Sequence, residues 1–180
     1  MRPGFLLLAV LLAAPLTGQK AAPRRDELAA IERSFDDKLT RFNVSQPMEL
    51  LGLTRGVYLP GYGAVFTAEL SLLQGPVISP FRPKVTKEEA VQIRAAKLKR
   101  LPEVRSLLRE LLVASAASLD SVPPEEQIVI GVSFIYANWE DVTGLPKSIL
   151  MQARRSQLVE VAMNRQPKSA LDSLVKMREE

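Results

Sequence analysis

The sequence contains no cysteine and no histidine. The first absence rules out disulfides, thiolate metal sites and cysteine nucleophiles, so stability must come from packing alone. The second removes imidazole both as a general base and as a ligand. With it go the Ser-His-Asp and Cys-His nucleophile systems, histidine zinc sites and haem held through histidine. What stays open is a carboxylate pair, a Ser-Lys pair, an oxygen-ligated Ca or Mg site, or no catalysis at all. No cofactor is implied. Aromatic residues make up only 6% of the chain and the formal charge is a mild +4. Few rings interleave the basic residues, which speaks against a stacking platform for nucleic acid.

Long apolar runs are also scarce, and the one that stands out is Phe5–Leu16 near the start. It is too short for a bilayer span, which needs about 20 apolar residues. With Arg2 before it and Thr17-Gly18-Gln19-Lys20 after it, the segment has the three parts of a secretory signal peptide over residues 1–18, with cleavage expected after Gly18. No cysteine follows, so a lipid-anchored lipoprotein is excluded. The expectation is an exported protein of the periplasm or extracellular space, with residues 19–180 forming a single globular domain frayed at its last few residues. Membrane contact is expected only if the segment is retained as an anchor.

Along the remaining chain, Leu28, Ile31, Phe35, Leu39 and Phe42 recur at helical spacing from Arg24 to Phe42. The period then becomes two, over Leu51–Leu59 and Tyr62–Leu72. Pro60-Gly61 between them suits the two central positions of a turn, which predicts a hairpin, with Gly56 and Gly63 as candidate bulges. Residues 74–83 read as a crossing loop. Thr86 and Glu89 form a capping-box pattern that opens a helix to about Arg100, and Pro102 suits the first turn of a second piece or a kink in one helix. Ile128–Tyr136 is apolar at nearly every position, as expected of a central strand covered on both faces. Its arrival after a helical crossover predicts parallel pairing with a hairpin strand. A helix from about Ser148 to Asn164 and another opened by Pro167 complete the reading. The expected fold is α+β, a small three-stranded mixed sheet of the hairpin plus one strand, packed with about five helices.

The candidate site is the loop after that third strand, where Asn138, Trp139, Glu140 and Asp141 emerge. Ligands of open α/β sheets bind outside the carboxyl ends of strands. Glu140 and Asp141 could serve as acid and base or as oxygen ligands, although neighbours on extended chain point to opposite faces. Gly144-Leu145-Pro146-Lys147-Ser148 has the setting of a phosphate loop, but Pro146 stands where a glycine is required. Lys147 at a helix start is then a weaker anion-site candidate. Ser173-Leu174-Val175-Lys176 spells a Ser-x-x-Lys motif without its companion elements.

Tyr58, Tyr62, Phe66, Tyr136 and Trp139 could gather at one end of the sheet as a binding patch. Basic residues cluster over Lys84–Arg109 and again at Arg154, Arg155, Arg165 and Lys168, where they could meet anionic lipid or an acidic polymer. The leading expectation is a non-catalytic exported protein that binds an envelope protein or an anionic envelope surface and not nucleic acid. The alternative is a small carboxylate-dependent hydrolase or a Ca/Mg-dependent binder using Glu140 and Asp141.

Overall fold

A computed structural model describes residues 22–43, 45–76 and 84–180. The signal-like segment and most of the crossing loop lie outside them. The hairpin forms where the alternation predicts it, from β1 (Glu49–Leu59) and β2 (Gly63–Ser71). At its turn the Tyr62 N–H donates to the Leu59 carbonyl at 3.0 Å. Gly61 takes φ +79° behind Pro60, as the second central position of a type II turn requires. The bulges are elsewhere than expected, because the register shifts fall between Leu50 and Arg55. Gly56 instead clears the Phe66 ring, which a Cβ would approach to 2.6 Å. Gly63, at φ +139°, lets the chain pass Gln127, whose carbonyl oxygen a Cβ would meet at 1.9 Å.

Helix α1 (Arg25–Arg41) buries Leu28, Ile31, Phe35 and Leu39 as the spacing requires. Phe35 stacks on Phe66 with ring centroids 5.4 Å apart. The helix also closes the outer edge of β1. Glu32 accepts the Gly56 N–H at 2.6 Å and Asp36 accepts the Thr54 N–H at 2.9 Å. Arg25 grips Glu32 through both terminal nitrogens, at 2.6 and 2.8 Å. Edge amides held this way are not free to pair with another chain.

The capping box at Thr86 and Glu89 forms with both hydrogen bonds present. From it, α2 (Lys87–Ser118) runs unbroken through Pro102, so one helix replaces the two pieces. A proline inside a helix costs about 3 kcal/mol. Here Leu101, Val104, Leu107, Leu108, Leu111 and Leu112 are all buried around and beyond it, and that packing outweighs the lost bond. Strand β3 (Gln127–Phe134) then pairs parallel with β2, Val65 opposite Val129, as the crossover predicts.

Two further strands overturn the expected fold. Ser148 opens β4 (Ser148–Arg154), not a helix, and β5 (Lys176–Glu179) lies where the last helix was expected to continue. Among the described residues the sheet is therefore five-stranded in the order β1-β2-β3-β4-β5, and with four α-helices there the fold is α+β. In β4, Ile149, Met151 and Ala153 are buried while the residues between them are not. That period of two sits inside a stretch of good helix formers, and the free edge of β3 decides between the two readings. Helix formation is delayed to α3 (Arg155–Ala162), and a 3₁₀ turn at Lys168–Ala170 leads into the single-turn α4 (Leu171–Leu174).

Phe66 and Leu70 of β2, Ile130 and Phe134 of β3 and Met151 of β4 share one core with α1 and α2. The opposite face of the sheet carries no helix among the described residues. β3 is thus central but covered on one face only: Val129 is buried between its row neighbours, whereas Ser133 is exposed.

Candidate functional site

The loop after β3 is held in place by the residues that were candidates for chemistry. Glu140 bonds through Oε2 to the ammonium of Lys97, with side chains 8% and 2% exposed. Its Oε1 accepts the Ala137 N–H at 3.0 Å. The same ammonium lies 5.0 Å from the centroid of the Tyr136 ring. Tyr136 in turn donates its hydroxyl to the Pro146 carbonyl at 2.6 Å. Burial, and then the Glu140 charge, push its phenol up to about 12.

Asp141 turns away from this cluster. Its carboxylate accepts the Thr143 N–H at 2.9 Å and lies 3.5 Å from Arg94. Hydrogen bonding from Thr143, followed by the Arg94 charge, holds it below the usual carboxylate range. Glu140 and Asp141 therefore do not converge on a common ligand position. Among the described residues no three carboxylates are grouped to hold a metal ion.

Lys147 and Asn138 are exposed and Trp139 is half-buried. No helix starts beside Lys147, and both its N–H and that of Ser148 donate to the Glu180 carbonyl. The amides an anion would need there are already bonded. The aromatic group is split between opposite ends of β3. Tyr58, bonded to Glu126 at 3.2 Å, and Tyr62 lie by its first residue, while Tyr136 and Trp139 follow its last. The basic residues do not form one patch either. Lys97, Arg100 and Arg155 are buried, and Arg105 and Arg109 pair with Glu179 and Asp172.

The open face of the sheet escaped the sequence reading. Its register aligns Arg55, Thr67, Gly131, Leu150 and Arg178 in one row, and Val57, Val65, Val129, Gln152 and Lys176 in the next. A third row runs from Leu59 through Gly63 and Gln127 to Arg154. A groove of about 610 Å³ runs across this face over Gly131, bounded by Leu53, Arg55, Glu69 and Leu150. Leu53, Val57 and Leu59 are exposed beside it. None of Arg55, Arg154, Lys176 and Arg178 makes an ion pair with a described residue. The signal for Arg154, Lys176 and Arg178 was alternation within 148–154 and 176–179, hidden where helix was expected, whereas Arg55 lies on a strand that the alternation predicts.

The chain matches no known protein family, no curated protein and no solved structure. No described helix is long and apolar enough to cross a membrane.

Proposed function

We propose that this chain is an exported, non-catalytic binding protein of the cell envelope that holds an anionic polymer on the open face of its sheet. Export rests on the signal-like composition of residues 1–18. Binding rests on one observation: four cations without ion-pair partners among the described residues stand on an uncovered face, Arg55 lining a partly apolar groove and Arg154 and Lys176 a separate recess, opposed on that face by Glu49, Glu69 and Glu180. Such a surface suits a polymer that offers both apolar ring faces and negative charge, as an acidic polysaccharide does. A carboxylate hydrolase or a Ca/Mg-dependent binder finds less support, since Glu140 and Asp141 are committed to Lys97, Arg94 and backbone amides.

The test is affinity electrophoresis of purified protein in gels containing polygalacturonate, at low and at physiological salt. Retardation at low salt, reduced by salt and weakened about tenfold in an Arg55→Glu/Arg178→Glu variant, is the expected result. No retardation at low salt, or equal retardation of wild type and variant, would overturn the polymer reading. N-terminal sequencing of the exported protein, with Gln19 expected first, tests the address.

A further inference from the structure

Where β4 passes into α3, two consecutive arginines have opposite fates. Arg155 is buried, donating to the Ala116 carbonyl at 3.2 Å and to Asp120 at 2.6 Å. Arg154 faces the open side of the sheet with no acidic partner among the described residues. There it lines a recess of about 320 Å³ together with Lys176 of β5. The register explains the meeting: Arg154 is opposite Gln127, and Lys176 is opposite Gln152 in the adjoining row.

Gln127, Gln152, Gln157 and Ser173 supply the other polar groups of this recess, and no carboxylate among the described residues lines it. Gln152 accepts the Tyr62 hydroxyl through its carbonyl at 3.4 Å, and its amide N–H groups have no partner among the described residues. Ser173 donates to the Ala170 carbonyl at 2.9 Å and keeps its lone pairs as acceptors. Two cations, three carboxamides and a hydroxyl thus share one small concavity, with Leu174 as an apolar wall.

Carboxamides both donate and accept, which matches the hydroxyls of a sugar, while paired cations match a carboxylate or phosphate. The volume lies at the small end of ligand sites, enough for one small molecule. We propose that this recess binds a single anionic monosaccharide unit. Its charged group sits on Arg154 and Lys176, and its hydroxyls meet the carboxamides of Gln127, Gln152 and Gln157. The inference rests on the open face being the binding surface and names the chemistry it selects at the β4–β5 corner.

An NMR titration of the ¹⁵N-labelled protein reads the recess directly through the side-chain amides of its three glutamines. Galacturonate and glucose 6-phosphate, the carboxylate and phosphate arms, are titrated beside neutral galactose and beside acetate and inorganic phosphate. Saturable shifts at those amides are expected with at least one acidic sugar, and weaker binding with galactose or the simple anions. Arg154→Gln and Lys176→Gln should each weaken that binding about tenfold, the scale of one hydrogen bond to a charged group. Both residues are exposed, so the backbone spectrum should be retained, and Lys38→Gln, an exposed position on α1 outside the recess, should bind the monosaccharide as wild type does.

Equal binding of acetate or inorganic phosphate would mean an adventitious ion only and would overturn the proposal. So would the absence of saturable shifts, or unchanged affinity in both variants. Polygalacturonate binding without any monosaccharide shift would remove the recess and leave the polymer reading standing. Monosaccharide binding without polymer retardation would support the recess and remove the polymer.

Discussion

Replacing Glu140 by glutamine strands a buried ammonium, and the structure sets the scale of the loss. Lys97 is 2% exposed at its side chain, so water cannot replace the carboxylate. Removing one partner of a buried ion pair costs about 3–5 kcal/mol. The Tyr136 ring face, 5.0 Å away, continues to attract the charge. The glutamine carbonyl can still accept one hydrogen bond from it, which brings the expected loss to the lower end, about 3 kcal/mol.

Lys97→Met should cost less, about 2 kcal/mol, because Glu140 lies on a loop and can turn toward water. The Lys97→Met/Glu140→Gln double variant should then cost less than the two singles together, by about 1.5 kcal/mol or more. Urea unfolding followed by far-UV circular dichroism measures these differences. Trp139, the single tryptophan and the neighbour of Glu140, reports the loop by fluorescence. In wild type the two transitions should coincide; in Glu140→Gln the fluorescence change should come first. The Tyr136 phenol should also titrate below its value of about 12, yet above 10.0, because burial outranks the Glu140 charge in raising it. A loss under about 1 kcal/mol, or additive singles, would refute the reasoning and return Glu140 to the residues free for chemistry.

Gly63→Ala should cost about 3 kcal/mol or more, since its Cβ would collide with the Gln127 backbone, while Gly52→Ala has open space and should be nearly neutral. Similar melting temperatures for the two would contradict the β2–β3 register. Arg100→Met should lose about 2–3 kcal/mol in urea unfolding, because the guanidinium serves the Leu72 carbonyl at 2.6 Å and the Gln46 carbonyl at 2.5 Å. Arg100→Lys should recover little, as a point charge lacks the fork that reaches both. Burial raises the Glu32 carboxyl, but the Arg25 and Gly56 hydrogen bonds and the Arg25 and Arg55 charges outweigh it and leave it below 4.5. Its folded value thus lies under its unfolded one, so its stabilisation is full above the ordinary carboxylate range and disappears as pH falls through the folded value. Glu32→Gln should be less stable than wild type at neutral pH and converge with it in acid. A constant gap across that range would contradict the assignment.

Local patterns carried much of the fold. The stripe of α1, the Pro60-Gly61 turn, the Thr86/Glu89 capping box and the parallel placement of β3 each depend on residues close in sequence or on a general rule of chain crossing. Two strands stayed hidden because β4 and β5 gain their backbone partners only from β3 and from each other. That Glu140 and Asp141 need not converge was legible from their adjacency in the chain, since neighbours on extended chain point to opposite faces. Their actual partners were not, for Lys97 and Glu140 are 43 residues apart. Likewise nothing between Arg154 and Lys176 in the chain foretells a shared recess.

From its residues alone, then, this sequence is a cysteine-free and histidine-free α+β chain with signal-like residues 1–18, and chemistry that needs a thiol or an imidazole is closed to these residues. Composition and short-range periodicity suffice for that, because they depend on what each residue is and on its near neighbours. Which face of the sheet stays open, and which cations remain unpaired on it, depends on hydrogen-bond ladders and ion pairs between distant segments. Those exist only once the chain has folded.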